Sequence, residues 1–173
     1  MSTGLQNKLT GQIAEHLVCA ELGRRDLIAT PFAGNVPSFD VIVADSACRT
    51  IPIQVKATRG NNWPTRALEW MEIEFDPSTG RQNYRGPKDI SNPSLIYVCV
   101  VLGDLSQGTQ DRFFILTKSD VQAACIASYS YWMDKHDWCR PKKPESYDCR
   151  YTIEHIAGFE GKWELIQERL AQG

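Results

Sequence analysis

The chain has 173 residues, a length that suits a single domain with a substantial hydrophobic core. Its hydrophobic fraction of 42% and charged fraction of 23% are those of a soluble globular protein, and its formal net charge of −2 excludes a uniformly basic surface. No run approaches the roughly 18 apolar residues of a membrane span, and no secretory pattern is visible, so we expect a cytoplasmic protein without a membrane partner.

The first part of the chain predicts a helix and then three strands. Apolar residues at helical spacing predict a helix over 5–23, with an apolar stripe made of Leu5, Leu9, Ile13, Leu17 and Leu22 and with Ala14 and Val18 alongside. A short strand is predicted over 26–32. FDVIVAD (39–45) and TIPIQVKAT (50–58) predict a strand pair around a polar turn.

The rest of the chain predicts further strands and two helices. ALEWMEIEF (67–75) predicts a strand with a bulge near Met71, and the polar stretch from Asp76 to Asn92 predicts a long loop. Two strands, a helix, an irregular segment, a strand and a closing helix are then predicted over 94–103, 112–117, 118–131, 132–148, 149–153 and 158–170. No linker divides the chain, so the pattern predicts one mixed α/β (α+β) domain over residues 1–173.

Three polar residues lie inside the apolar runs of the strand pair. Strand alternation places Asp40 on one face of its strand, and Gln54 and Lys56 share one face of the next. A short hairpin brings Asp40 close to the other two. Buried strands rarely hold such residues unless something pairs with them.

The chemistry of these residues suits a hard cation. The Asp40 carboxylate, the Gln54 amide oxygen and the Val55 carbonyl are oxygen ligands of the kind that Mg²⁺ prefers. Lys56 would orient or deprotonate an attacking water, or stabilise charge on a phosphate. Glu15, at the border of the helical stripe, would lean toward the sheet as a second carboxylate.

A helical Glu, an Asp in a strand and (E/Q)-x-K in the next strand together resemble the PD-(D/E)XK nuclease superfamily. The matching residues are Glu15 in TGQIAEHLVCAEL, Asp40 in NVPSFDVIV, and Gln54 and Lys56 in IPIQVKAT. Two features depart from the usual pattern. Pro37 precedes Asp40 by three residues instead of one, and Gln54 replaces the more usual Glu, which should weaken metal affinity.

The resemblance implies a restriction-endonuclease-like core, with the N-terminal helix packed on a mixed four- to five-stranded sheet and helices at the C-terminal end. It also implies Mg²⁺- or Mn²⁺-dependent hydrolysis of phosphodiester bonds, in DNA more than in RNA. Asp40, Gln54 and the Val55 carbonyl would bind the metal, and Glu15 would hold a water at the metal or a second ion. Lys56 would assist the attack. A homodimer would suit the cutting of two strands.

A nucleic-acid substrate requires cations and stacking groups near the site. The candidate contacts are the basic residues and the tryptophan that follow the Q-x-K strand, namely Arg59, Trp63, Arg66, Arg81, Arg85 and Lys88. Tyr84 is a second candidate for stacking on a splayed base. Arg140, Lys142 and Lys143 form another basic group.

Three alternatives stay open. The same fold would serve as a non-catalytic module that binds DNA or a protein. The same chemistry would act on RNA. The remaining alternative is a zinc-stabilised interaction protein, whose ligands would be His136, Cys139, Cys149 and His155, although their spacing is not that of a zinc finger.

Overall fold

The computed structural model describes residues 4–32 and 38–172, and these divide into two compact units. Unit 1 comprises residues 1–61, 94–117 and 158–173, and unit 2 comprises 62–93 and 118–157, within those described ranges. The turn-rich sequence AGNVPS (33–38) predicts a loop, which lies outside the described residues except for Ser38. The single-domain assignment stays a prediction.

Unit 1 is built on a five-stranded mixed sheet. Its strands are β1 (Ile28–Pro31), β2 (Val41–Ala44), β3 (Thr50–Thr58) and, after the segment that belongs to unit 2, a fourth and fifth strand at Ile96–Val101 and Arg112–Thr117. Three strands of unit 2 come before them in the chain, so these last two strands are numbered β7 and β8. The sheet order is β1-β2-β3-β7-β8, in which β3 and β7 are parallel and the other pairs are antiparallel. The predicted mixed sheet of four to five strands is confirmed.

Two helices cover one face of this sheet. Helix α1 (Gly4–Gly23) buries Thr10, Ala14, Val18 and Leu22, and the last helix of the chain, at Glu164–Gln172, buries Ile166 and Leu170. They pack on alternate residues of the strands, such as Ile53, Val55 and Val98. Since these residues point away from Gln54 and Lys56, β3 buries one face and presents polar groups on the other, whereas β7 is buried on both faces.

The predicted apolar stripe on α1 is right for Ala14, Val18 and Leu22, which are buried, and wrong for its three N-terminal members. Leu5, Leu9 and Ile13 are 66%, 45% and 40% exposed, whereas Thr10, Ala14 and Val18 face the sheet. The small side chains at these positions let the helix approach the sheet closely. The helix itself spans almost the residues predicted for it.

Unit 2 holds two antiparallel ribbons and a long helix. The ribbons pair β4 (Asn62–Arg66) with β9 (Asp148–Thr152), and β5 (Met71–Asp76) with β6 (Arg81–Pro87). Helix α2 runs over Lys118–Asp134, and a short helix α3 (Ile153–Ile156) follows β9, so the closing helix of unit 1 is α4. No described helix has the length and apolar character needed to cross a membrane.

Three predicted elements in unit 2 are corrected. Ala67–Glu69 is a 3₁₀ turn and not strand, and the bulge lies at Glu72/Ile73. The predicted long loop over 76–92 contains strand β6. The sequence pattern does not predict β4 or β6. Their sequences, NWPTR and RQNYRGP, are polar and contain proline, so neither shows the apolar alternation of a strand.

Candidate metal site at the point where two strands separate

The site lies in unit 1, where β2 and β3 stop pairing. The ladder ends at Val41 opposite Ile53, after a last backbone bond from the Asp40 N–H to the Ile53 carbonyl of 2.8 Å. The next N–H of β3 on the side of β2 belongs to Val55. It donates to Asp40 Oδ2 at 2.7 Å and not to a backbone carbonyl of β2. The Asp40 side chain therefore replaces the missing strand partner and is held at the separation point.

Gln54 and Lys56 lie beside this carboxylate, as the strand alternation predicts. The Gln54 Nε2 donates to Asp40 Oδ2, and it lies 3.4 Å from the Val55 carbonyl oxygen. Lys56 is exposed, and its positive charge acts on Asp40. Burial nevertheless raises the pKa of the Asp40 carboxyl above its ordinary value, against the opposing effects of the Val55 N–H and of Lys56.

Glu15 of α1 completes the group. Its half-buried side chain follows Ala14, which is fully buried against the sheet. Burial raises the pKa of the Glu15 carboxyl, and the negative charge of Asp40 raises it further. Two neighbouring carboxyls whose charged forms are both disfavoured are a recognised mark of a functional site. The sequence-predicted set of Glu15, Asp40, Gln54 and Lys56 thus comes together in one place.

These residues fit a hard divalent cation. Two carboxylates, one amide oxygen and one backbone carbonyl are an oxygen donor set, and a cation's charge would offset the burial that raises both carboxyl pKa values and the effect of Asp40 on Glu15. The Val55 carbonyl faces the same gap as its own N–H, because both groups of a strand residue point to the same neighbour. Mg²⁺ and Mn²⁺ suit such a site better than softer metals.

The predicted nucleic-acid contacts divide between the two units. Arg59 lies in unit 1, just after β3, and its Nε donates to Thr10 Oγ1 at 3.2 Å. The five others belong to unit 2. There Arg85 pairs with Glu74 at 2.6 Å, and Lys88 Nζ donates to the Leu68 carbonyl at 3.1 Å, whereas Arg66 and Arg81 are exposed.

The expectation that Trp63 stacks on a base is corrected. The Trp63 side chain is 3% exposed and stacks on Tyr151, with ring centroids 5.3 Å apart, so it belongs to the core of the β4–β9 ribbon. Tyr84 remains 37% exposed, with one ring face stacked on Trp138 at 5.8 Å. Of the two aromatic candidates, only Tyr84 presents surface to solvent.

The zinc alternative has no assembled centre in the part of the chain that the structure describes. No group of three or more His, Cys, Asp or Glu side chains there is placed to hold a metal ion. The His155 ring is engaged by Thr152, and Cys149 is buried with its thiol pKa raised by burial to about 11.

Unit 2 contains a cavity that the sequence does not predict. Its volume is about 400 Å³, and its walls come from α2, from β9 and α3, and from Arg140 between them. The sequence identifies Arg140 only as a member of a basic group and His155 only as a candidate zinc ligand. No spacing rule joins residues from three separate elements, so their meeting depends on the tertiary fold.

Comparison with known proteins agrees with a nuclease fold. A solved structure of a bacterial homing endonuclease, I-Ssp6803I, superimposes with a TM-score of 0.53 at 13% sequence identity, and the match covers 95% of each chain. At this identity the likeness shows the fold alone. No family model and no curated protein matches the chain.

Proposed function

We propose that the protein is a metal-dependent nuclease of the PD-(D/E)XK type that hydrolyses phosphodiester bonds. The observation that carries the proposal is the convergence of Glu15, Asp40, Gln54 and Lys56 where β2 and β3 separate. Strand separation opens a gap, and two carboxyls with raised pKa values flank it. The homing-endonuclease architecture of the solved neighbour supports the same class of reaction.

Each residue of the site has a chemical task in this proposal. Asp40, Gln54 Oε1, the Val55 carbonyl and Glu15 would hold Mg²⁺ or Mn²⁺, which would supply positive charge for the phosphate and lower the pKa of a water. The Lys56 ammonium stands on the same sheet face, next to Asp40. It orients the attacking water and stabilises the negative charge that develops on the phosphate.

We infer DNA as the substrate in preference to RNA. The solved neighbour is by name a homing endonuclease, an enzyme that cuts DNA, and its architecture extends over almost the whole of this chain. The exposed arginines Arg59, Arg66 and Arg81 offer phosphate contacts. A homodimer would bring two such sites to the two strands of a duplex.

A second candidate function has an observation of its own. In the metal-free arrangement Asp40 already accepts hydrogen bonds from the Val55 N–H and from Gln54. A Glu at position 54 would repel Asp40, but Gln54 makes a satisfied pair with it. This pairing favours a non-catalytic module that keeps the nuclease architecture and binds DNA or a protein.

A cleavage assay separates the two functions. Wild type and Lys56→Ala are incubated with Mg²⁺ or Mn²⁺ and with supercoiled, linear, branched and single-stranded DNA, and with RNA. We expect wild type to cut at least one DNA and Lys56→Ala to be slower by about a hundredfold or more. Because Lys56 is exposed, its removal should leave the fold intact, which circular dichroism checks.

The matched control is Lys162→Ala, which removes an exposed lysine elsewhere in unit 1. Its rate should equal that of wild type. Equal cutting by Lys56→Ala and wild type would remove Lys56 from the mechanism, and the absence of cutting on every substrate would favour the binding module. Cutting of RNA alone would reverse the substrate preference.

A further inference from the structure

The cavity in unit 2 has an aromatic side and a cationic side. Tyr131 and Trp132 come from α2, and Arg150 and His155 come from β9 and α3. Tyr131 is 66% exposed and Trp132 is 38% exposed. Lys135 Nζ lies 3.8 Å from the Tyr131 ring centroid, and the His136 ring centroid lies 4.5 Å from that of Trp132, so a ligand can use only the ring surface that these neighbours leave open. A volume of about 400 Å³ lies within the range of small-molecule binding sites.

Arg140 is held in place and yet incompletely satisfied. Its Nη1 donates to the Asp148 carbonyl at 3.0 Å, and its guanidinium carbon lies 4.9 Å from the centroid of the Trp132 ring. Its Nε is buried and has no hydrogen-bond partner among the residues that the structure describes. Arg140 also lines the cavity, so its positive charge is available to an anionic ligand there.

The other polar groups favour an anion. Arg150 is exposed on β9, and its charge, like that of Arg140, acts on the buried Cys149 thiol at the cavity wall. His155, which also lines the cavity, is held by Thr152, whose N–H lies 3.3 Å from His155 Nδ1. One carboxylate, that of Asp148, lines the cavity and accepts from Ser146 Oγ at 2.9 Å. Two guanidinium groups outweigh it.

We propose that this cavity binds a single unpaired nucleotide, with its phosphate on Arg140 and Arg150 and its base against Tyr131 and Trp132. Guanidinium groups match phosphate oxygens in geometry and charge, and aromatic rings accept any base by stacking. The nucleotide comes either from solution or from a single-stranded stretch of nucleic acid. The proposal stands apart from the cleavage chemistry, because none of the four residues of the metal site lines this cavity.

Calorimetric titration in the presence of a chelator tests the proposal while preventing any metal-dependent cutting. The probes are deoxyadenosine 5′-monophosphate, deoxyadenosine, inorganic phosphate and a 5′-phosphorylated pentathymidylate. We expect the monophosphate to bind with one site and at least tenfold more tightly than deoxyadenosine or phosphate alone. Tighter binding of the pentanucleotide than of the monophosphate identifies a strand as the source, and the reverse order identifies a free nucleotide.

Variants locate the binding. Arg140→Gln should weaken monophosphate binding at least tenfold, and Tyr131→Ala should weaken it roughly fivefold or more. Tyr131 is largely exposed, so this second variant keeps its fold even if Arg140→Gln does not. Lys142→Gln removes a nearby charge that does not line the cavity and should bind like wild type. No saturable binding to wild type at millimolar monophosphate, or unchanged binding in both cavity variants, would overturn the proposal.

Discussion

The Asp40 carboxylate serves both the fold and the proposed chemistry. Its Oδ2 accepts from the Val55 N–H and from Gln54, which satisfies the end of β3, and the same oxygens are the proposed metal ligands. Burial makes its charge unfavourable in the absence of a cation. Strain of this kind is typical of residues that are kept for function at some cost in stability.

Replacement of Gln54 by Glu should strengthen metal binding and weaken the metal-free protein. A second carboxylate beside Asp40 adds repulsion, so we expect Gln54→Glu to lower the free energy of unfolding by about 1 kcal/mol without metal. Added Mg²⁺ or Mn²⁺ should restore it and raise the melting temperature more than in wild type. Thermal unfolding with and without metal measures both effects.

Two further variants make this titration decisive. Asp40→Asn keeps an acceptor for the Val55 N–H but removes the carboxylate, so it should abolish any metal-dependent rise. Gln167→Glu adds the same charge at an exposed position of α4 and should behave like wild type. If metal stabilises wild type, Gln54→Glu and Asp40→Asn to the same extent, these residues do not bind it.

Glu21 near the end of α1 gives a prediction with a definite pH dependence. Its carboxylate accepts from Arg25 Nη1 at 2.7 Å, and the Arg25 guanidinium lies 4.4 Å from the Trp163 ring centroid. The hydrogen bond from Arg25 lowers the Glu21 pKa below its ordinary value. A lowered pKa means that the stabilisation is present above the ordinary pKa and is lost as pH falls through the lower one.

We therefore expect Glu21→Gln to lower the free energy of unfolding by about 0.5–1 kcal/mol at pH 7 and to have little effect once the pH has fallen below the lowered pKa of Glu21. Urea unfolding at the two pH values measures the difference. Glu168→Gln, at an exposed position of α4, is the control and should change neither value. An equal loss for Glu21→Gln at both pH values would mean that packing, and not charge, is responsible.

At the scale of elements, the hydrophobic pattern predicts those helices and strands whose apolar residues are periodic or continuous. α1, β3, β7, β8 and α2 have strong periodic or continuous apolar patterns and were predicted nearly to their ends. The face of α1 was not, because Leu5, Leu9 and Ile13 form a better apolar stripe than the Ala14 and Val18 row that actually packs. The helical period fixes the spacing of the apolar residues, but packing against the sheet determines which face of the helix is buried.

Strand β6 shows why polar strands cannot be predicted locally. Gln82 is fully buried at its second position, where an apolar residue is the usual occupant. Its amide donates to the carbonyls of Pro144 and Ser146 at 2.7 and 3.0 Å and accepts from the Tyr129 hydroxyl at 2.6 Å. The partners lie some fifty to sixty residues away, so only the folded unit explains the burial.

Gln82 should accordingly be a strong determinant of stability. We expect Gln82→Leu to lower the free energy of unfolding by about 2–3 kcal/mol, since it leaves three polar groups without their partner. Tyr129→Phe removes only one of these bonds and should cost about 1 kcal/mol. Urea denaturation compares the two. A cost for Gln82→Leu no larger than that of Tyr129→Phe would show that water readily replaces the amide.

The candidate site was predictable because its members lie on elements with clear patterns. Helical and strand periodicity alone predict where these members lie. They place Glu15 on a helix, Asp40 at the start of a strand, and Gln54 and Lys56 on one face of the next strand. What did not follow is that Asp40 replaces a strand partner for Val55, since this depends on where the β2–β3 register ends. Trp63 was misjudged for a similar reason, because its ribbon partner β9 lies far along the chain.

At the scale of the whole molecule, the proposed activities fall in different units. The metal-site residues belong to unit 1 and the nucleotide cavity belongs to unit 2. The chain passes between the units at 61/62, 93/94, 117/118 and 157/158, so neither unit is a continuous segment. An excised half of the chain would therefore contain neither unit complete.

This connectivity predicts that the two units unfold together. Residues 94–117, which form β7 and β8 in unit 1, join the two segments of unit 2, and the Ser119 N–H donates to the Pro93 carbonyl at 2.9 Å where those segments meet. If unit 1 unfolded alone, this hairpin would become a flexible loop whose closure costs conformational entropy. Hydrogen exchange with mass spectrometry at increasing urea measures the opening free energy of β7 and of α2 separately. We expect the two values to agree within about 1 kcal/mol and to fall with the same slope. Different slopes would show two independently stable units and would overturn the single-domain prediction.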